Sequence, residues 1–375
     1  MKRHGALPDS LIGQMIACGA ISGASRMAIN PASLDLSAST ECYRLTHGFL
    51  PLPGESVDSV LGFAGAMTHS LGEPLEVDIP YLIKLRERLS LAEYQNVYAY
   101  CNPKSSIGRI DVHARLVVDG EAGYDTVPAG YTGPLWAVVI PRSFPVRCSE
   151  GVSLIQMRFF DIDTRLGKTE MDLVMSSDGV LYDAFGTKLV SEDLRISDND
   201  GSIILTADTV PLPQGNECAG IVGYECRGTR EVLNLNTSEH VSSSVFFEPI
   251  FGRSDKSIKL RRGSFYILST KERVRVPPWF ACEMFPMVAR SGEFRAHYAG
   301  FIDPGWGYGA AGENAGRQLT LEVRPFEDIV VRDSQPIASI RFERMIREPD
   351  LHYDEISDSH YKTQKGPALS KYFSI

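Results

Sequence analysis

Residues 317–324 read Arg317-Gln318-Leu319-Thr320-Leu321-Glu322-Val323-Arg324. In an extended chain Leu319, Leu321 and Val323 share one face, and Thr320, Glu322 and Arg324 share the other. The segment therefore predicts a strand with one apolar side. A polar strand face is usually solvated. If this one turns inward, Glu322 becomes a buried carboxylate, with the raised pKa that suits a general base. Upstream, Ala299-Gly300-Phe301-Ile302-Asp303-Pro304-Gly305-Trp306 sets Asp-Pro-Gly turn chemistry between apolar strand ends. That reads as a β-hairpin arm with Trp306 at its tip, a platform for a ring or a sugar beside Asp303.

Outward from these segments, residues 135–140, 153–160 and 337–342 also mix β-branched, aromatic and alternating residues between Gly, Pro, Asp and Asn. One helix is expected near the start: Pro8-Asp9-Ser10 as cap, residues 11–18 as turns, Gly19 as stop. Residues 176–220, rich in Asp, Ser and Gly, read as hairpins. The fold class is mostly β, with the strand density of jelly rolls or barrels.

The chain also repeats itself. Glu87-Arg88 falls on Glu272-Arg273 at an offset of 185, and Gln156-Met157-Arg158-Phe159 on Ser339-Ile340-Arg341-Phe342 at 183. Lys104-Ser105-Ser106-Ile107-Gly108-Arg109 can be laid on Phe285-Pro286-Met287-Val288-Ala289-Arg290 at 181. Three anchors at about half the chain length predict two copies of one fold, 1–165 and 166–375.

Composition narrows the function. With 38 Lys and Arg against 47 Asp and Glu, a net charge of −9 disfavours non-specific nucleic-acid binding. A local cationic cluster can still hold a small phosphorylated ligand. The seven cysteines are odd in number and form no C-x-x-C pair, which fits a reducing compartment rather than a disulfide framework or zinc knuckle. The opening Lys2-Arg3 is interrupted at Pro8-Asp9-Ser10, and no apolar run reaches membrane-span length. The expectation is a soluble cytoplasmic protein, with no membrane and no nucleic acid among its partners.

The cationic cluster is Pro103-Lys104-Ser105-Ser106-Ile107-Gly108-Arg109. Two cations, two hydroxyls and a glycine can wrap a phosphate, although a Lys-Ser-Ser loop by itself is more often a solvated turn.

Together K-S-S-I-G-R, A-G-F-I-D-P-G-W, T-L-E and the tail Tyr361-Lys362-Thr363-Gln364-Lys365-Gly366-Pro367 occur in the order found in dCTP deaminases, which this chain resembles. Asn30-Pro31-Ala32-Ser33-Leu34-Asp35-Leu36 resembles that family's opening motif. The resemblance implies two tandem dUTPase-like distorted β-barrel, or jelly-roll, domains in a family that assembles as homotrimers. It implies hydrolysis of the 4-amino group of dCTP to give dUTP and ammonia, with Mg2+ carried on the triphosphate. It also implies Glu322 as general base, with Ser105 and Arg109 lining the reacting centre and Lys104 and Ser106 facing the phosphates. Ala299, Gly300, Phe301 and Ile302 would read the pyrimidine edge, and Asp303 and Trp306 the deoxyribose. Tyr353, Lys362 and Gln364 would belong to a C-terminal arm over the triphosphate. Feedback by dTTP is common in the family.

The ordinary member has half this length. Here the first copy keeps the serine loop but has Val138 where the glutamate is expected, and the second keeps Asp303 and Glu322 but has lost Lys-Ser-Ser. The resemblance therefore implies one composite site built from both copies, within a chain or between chains, and one dead counterpart. Zinc deaminases need His- or Cys-x-Glu and Pro-Cys-x-x-Cys. No histidine here has Glu two residues on, and no C-x-x-C exists, so zinc is not expected. Two rivals stand beside this reading. One is a dUTP pyrophosphatase, or a bifunctional enzyme giving dUMP, which the unusual Arg295-Ala296-His297-Tyr298 leaves open. The other is a non-catalytic nucleotide sensor.

Overall fold

The computed structural model describes residues 3–194, 199–211, 220–236, 240–286, 300–356, 361 and 364–374. The chain separates into two compact units. Unit 1 is Met1–Asp163 with Gly228–Val241 and Tyr372–Ser374; unit 2 is Thr164–Arg227 with Ser242–Lys371 and Ile375. Among the described residues no helix is long and apolar enough to cross a membrane.

In unit 1 the strands lie in the order Val112–Val118, Thr132–Pro141, Tyr81–Ser90, Ser33–Arg44, Ser153–Phe160, Tyr98–Pro103, Thr126–Val127. Ser33–Arg44 serves both halves of this sheet. Its first residues pair with Ser153–Phe160 and its later ones with Tyr81–Ser90, so the sheet wraps as a distorted barrel. Unit 2 divides the same plan into two sheets. One holds Leu181–Tyr182, Tyr266–Val274, Ile221–Cys226 and Phe247–Phe251, with Arg317–Val323 added on Tyr266–Val274. The other runs Ile203–Thr206, Pro336–Arg344, Phe280–Pro286, Gly300–Ile302. Leu205, Tyr266, Leu268, Leu321, Val323, Ile340 and Phe342 meet in the core of unit 2.

The repeat is visible in the register. Leu82 pairs with Val138 in unit 1, and Ile267, at an offset of 185, pairs with Glu322 in unit 2. Both ladders break at the same place: between Lys84 and Arg88 in one, between Ser269 and Arg273 in the other. In each bulge sits the glutamate of the Glu-Arg anchor. Glu87 accepts from the backbone N–H and hydroxyl of Ser37 at 2.9 and 2.8 Å; Glu272 accepts from those of Thr206 at 2.8 and 2.6 Å. The Tyr81 hydroxyl accepts from the backbone of Glu76, as the Tyr266 hydroxyl does from Arg261. Shared bulges, shared buried acids and shared tyrosine contacts establish two copies of one fold.

Register also corrects one anchor. Pro103 pairs with Ile155, and Pro286 with Ala338, so Pro103 and Pro286 correspond at an offset of 183 rather than 181. Lys104-Ser105-Ser106 thus matches Met287-Val288-Ala289 in sequence, which keeps the conclusion that the second copy lost its loop and moves it by two residues. Residues 287–299 lie outside the described residues.

Three further expectations change. The helix is Asp9–Ala17 with Pro8 as N-cap and no side-chain cap bond, one to two residues earlier than expected. The described residues of 176–220 do not form a run of hairpins: the segment opens on the end of the helix Lys168–Ser177, buried through Met171 and Met175. One tight reversal follows around 183–187, and Ile203–Thr206 pairs with distant Pro336–Arg344. Gly300–Ile302 does not form a hairpin with Arg317–Val323. It pairs with Phe280–Pro286, whereas Arg317–Val323 pairs with Tyr266–Val274 in the other sheet. The Asp-Pro-Gly turn therefore carries the chain from sheet to sheet. Gly307, at φ +63°, allows the close passage, since a Cβ there would stand 2.7 Å from the Val274 carbonyl oxygen.

Burial pushes the Glu87 carboxyl above its ordinary range, and the Ser37 hydrogen bonds oppose that shift. Glu87→Ala, which orphans the Ser37 N–H in a buried site, should cost about 2–4 kcal/mol of stability in denaturant unfolding. A raised folded pKa means the folded state holds the proton more tightly, so this group's contribution falls as pH rises. The melting-temperature advantage of wild type over Glu87→Gln should shrink as pH rises above the ordinary glutamate range. A gap that widens instead would contradict the assignment.

Candidate active site

In unit 1 the cationic loop is a single helical turn, Ser105–Gly108, with Lys104 at its N-cap and Arg109 at its C-cap. It leaves the strand Tyr98–Pro103 and is tied back by the Lys104 N–H to Leu154 O at 3.0 Å and the Arg109 N–H to Ser105 O at 3.0 Å. Ser106 and Arg109 are buried, Ser105 half-buried. The Lys104 ammonium is ion-paired with Asp35, whose other oxygen accepts from Asn30 at 2.9 Å and Gln156 at 3.2 Å. Asp35 belongs to the Asn-Pro-Ala-Ser-Leu-Asp-Leu motif, so the opening motif and the serine loop are one cluster. Sequence reading had given Asp35 no role.

In unit 2 the question left by the alternation of 317–324 has an answer: both faces are buried. Leu321 and Val323 are fully buried in the core, while Thr320 and Glu322 on the opposite face are each only 5% exposed. The C-terminal tail covers the polar face. Gln364 donates to Gln318 O at 2.9 Å, the Gly366 N–H to Gln318 Oε1 at 3.0 Å, and the Ala368 N–H to Thr320 Oγ1 at 3.3 Å. Gln318 in turn donates at 2.8 Å to both Asp208 and the Thr270 carbonyl in the bulge. Burial raises the Asp208 pKa against the hydrogen bonds of Val210 and Gln318. Asp208 lay in the stretch that sequence reading took for hairpins, and only the fold brings it here.

The segment after Ile302 is clamped by residues 351–356. The Tyr353 N–H donates to Pro304 O at 2.8 Å, and Asp354 accepts from the Gly309 N–H at 2.8 Å and from Arg317 at 2.7 Å. Trp306 is 7% exposed and not at an open tip. Tyr353 packs against it with ring centroids 5.0 Å apart, and the Arg317 guanidinium lies 5.4 Å from its centroid. The reading of Trp306 as an open platform is therefore corrected: its faces are used by the protein's own side chains. Asp303, Phe301 and Ile302 are buried beside it, and Gly300 is half-buried. Ala299 and Lys362 lie outside the described residues. Unit 1 thus holds Lys104, Ser105, Ser106 and Arg109 together, and unit 2 holds Gly300 through Asp303, Trp306, Glu322, Tyr353 and Gln364.

A buried carboxylate on a tail-covered strand, a turn with a buried Asp and Trp, and a separate Lys-Ser-Ser-Ile-Gly-Arg turn form the set that the sequence resemblance called for. Family models decide the assignment: the 2'-deoxycytidine 5'-triphosphate deaminase N-terminal domain matches residues 3–163, and the C-terminal domain of the same family matches 185–373.

The chain belongs to the dCTP deaminase family.

It is similar to the crystal structure of 2'-deoxycytidine 5'-triphosphate deaminase from Agrobacterium tumefaciens, at 31% identity and a TM-score of 0.81 over 93% of this chain and 100% of that one. No curated protein matches. The tandem dUTPase-like fold and the hydrolytic deamination of dCTP follow, and with them the status of an enzyme acting on a nucleotide; the sensor reading falls away.

The Arg317–Asp354 pair is nearly closed to water, with side chains 12% and 2% exposed. Breaking such a pair strands a charge. Arg317→Met, Asp354→Asn and the double variant should show a coupling of about 1–3 kcal/mol in a thermodynamic cycle of unfolding. Strict additivity would mean that the pair does not hold the turn.

Proposed function

We propose that Glu322 is the general base and acid of the dCTP deaminase reaction. It takes a proton from the water that attacks C4 of cytosine, and passes it to N4 as the C4–N4 bond breaks, releasing ammonia and leaving dUTP. Ser105 and Arg109 line the reacting centre and orient the water and the glutamate. Lys104, positioned by Asp35, and Ser106 face the triphosphate with its Mg2+. Gly300, Phe301 and Ile302, with Ala299, read the base edge, and Asp303 reads the sugar against the Trp306 wall. Tyr353, Gln364 and Lys362 belong to the arm that covers the nucleotide.

The observation that carries this reading is the register pair Ile267–Glu322. Its counterpart in unit 1 is Leu82–Val138, so at this place in the fold unit 2 has a carboxylate and unit 1 has none. Conversely, unit 1 has Lys104, Ser105 and Ser106 where the sequence of unit 2 has Met287, Val288 and Ala289. One complete set per chain needs both units. Carboxylate activation of water also suits a chain without the C-x-x-C pair of zinc deaminases. A cytoplasmic setting fits the six described cysteines, all free thiols.

Glu322→Gln should abolish ammonia release from dCTP, by a factor of about 10² or more, while dCTP binding survives. Unchanged turnover would remove Glu322 from the reaction. Ser105→Ala should be severe and Met287→Ala mild in the same assay; equal losses would contradict a single set of catalytic groups.

A further inference from the structure

Residues 119–140 of unit 1 align without a gap on residues 303–324 of unit 2, at an offset of 184. Asp119, Gly123, Tyr124, Leu135 and Val139 match Asp303, Gly307, Tyr308, Leu319 and Val323. The substitutions between them are patterned. Gln318, Thr320, Glu322 and Arg324, the polar face of the strand, become Pro134, Trp136, Val138 and Ile140. Unit 1 therefore keeps the aspartate of the turn and replaces the whole polar face with apolar side chains.

A face so changed must be covered, and the cover is on the same unit. Trp136 and Val138 are buried in a cluster with Leu45, Val57, Ala64, Leu82 and Val117, against which Phe49, Leu50 and Leu61 pack. Most of these lie in the connection 45–66, between Ser33–Arg44 and Tyr81–Ser90, which includes the short helix Val57–Val60. The same connection seizes the turn. Asp119 Oδ1 accepts from the Val57 N–H at 2.8 Å, and the Gly120 N–H donates to Glu55 O at 2.8 Å. The carboxylate corresponding to Asp303 is thus engaged by the chain's own backbone. In the second copy the stretch Gly228–Val241 of the matching connection is counted with unit 1, and Ser242 onward with unit 2.

We infer that unit 1 retains the counterpart of the nucleoside cleft and that residues 45–66 occupy it as a built-in plug, so that each chain takes up one nucleotide. The inference rests on the reading of residues 303–322 as the nucleoside site. It adds a physical reason why the counterpart is closed: an amide takes the place of the sugar hydroxyl on Asp119, and Val57, Leu61 and Ala64 take the place of the base over Trp136 and Val138.

The test counts nucleotides on the full chain. Equilibrium dialysis of dCTP with the Glu322→Gln protein, and of dUTP with wild type, should each give one nucleotide per chain. Two per chain, with wild-type deamination intact, would overturn the plug and leave the catalytic reading standing. Undiminished turnover by Glu322→Gln would remove the nucleoside site and the inference with it. Val57→Pro deletes the N–H that Val57 gives to Asp119, at a helix position that accepts proline. It should speed hydrogen exchange of the amides in 52–66 by about tenfold or more, with kcat and KM for dCTP within about twofold of wild type. Asp119→Ala, which removes the acceptor instead, should do the same. Unchanged exchange in both variants would overturn the plug.

Discussion

A carboxylate set into the bulge of a central strand is the constraint on which both units depend. Three residues, 85–87 or 270–272, stand opposite a single residue of the neighbouring strand, 135 or 319. An interruption of that size would leave backbone donors stranded in a buried sheet. Glu87 and Glu272 sit inside the interruption, each holding the N–H and hydroxyl of one residue on another strand. In unit 2 the bulge goes on to fix the strand beside it: Thr270 bonds the Leu319 N–H through its hydroxyl at 2.9 Å and receives Gln318 on its carbonyl at 2.8 Å. With residues 318 and 319 pinned, Glu322 has one face available to it. The bulge thus connects a buried structural acid to the orientation of the proposed catalytic one.

Strand content was plain in the sequence because alternation is local; Ser153–Phe160 has the expected bounds. The Glu-Arg anchor marked the repeat for a sound physical reason, since a buried acid inside a bulge is not freely exchanged. What escaped the sequence was non-local. The polar face of Arg317–Val323 is bonded at Gln318 and Thr320 by a tail about fifty residues downstream, which alternation cannot announce. Asp-Pro-Gly declares a turn but not which strands it joins, so the hairpin reading failed when Gly300–Ile302 paired with Phe280–Pro286. Lys168–Ser177 was hidden because its Asp and Ser residues read as turn formers, and only Met171 and Met175, four apart, give the helix a buried edge.

The site residues follow the same rule. Lys104, Ser105, Arg109, Asp303 and Glu322 stood out by motif. Asp35, Asp208 and Asp354 did not, because an isolated aspartate signals nothing until a fold gives it a partner. Each now has one: the Lys104 ammonium, the Gln318 amide and the Arg317 guanidinium. Two of these acids hold a cation in place, Asp35 the Lys104 ammonium and Asp354 the Arg317 guanidinium.

The face that carries Thr320 and Glu322 in unit 2 carries Trp136 and Val138 as packing in unit 1. The central claim is that Ser105 and Glu322 act in one machine although they belong to different copies of the fold. Comparison of kcat for Ser105→Ala, Glu322→Gln and the double variant tests it most directly, because groups acting as a unit are strongly non-additive. The account expects each single variant to lose nearly all activity and the double to lose little more. Single variants that each keep about half the wild-type rate, with a dead double, would show two independent sites and contradict it.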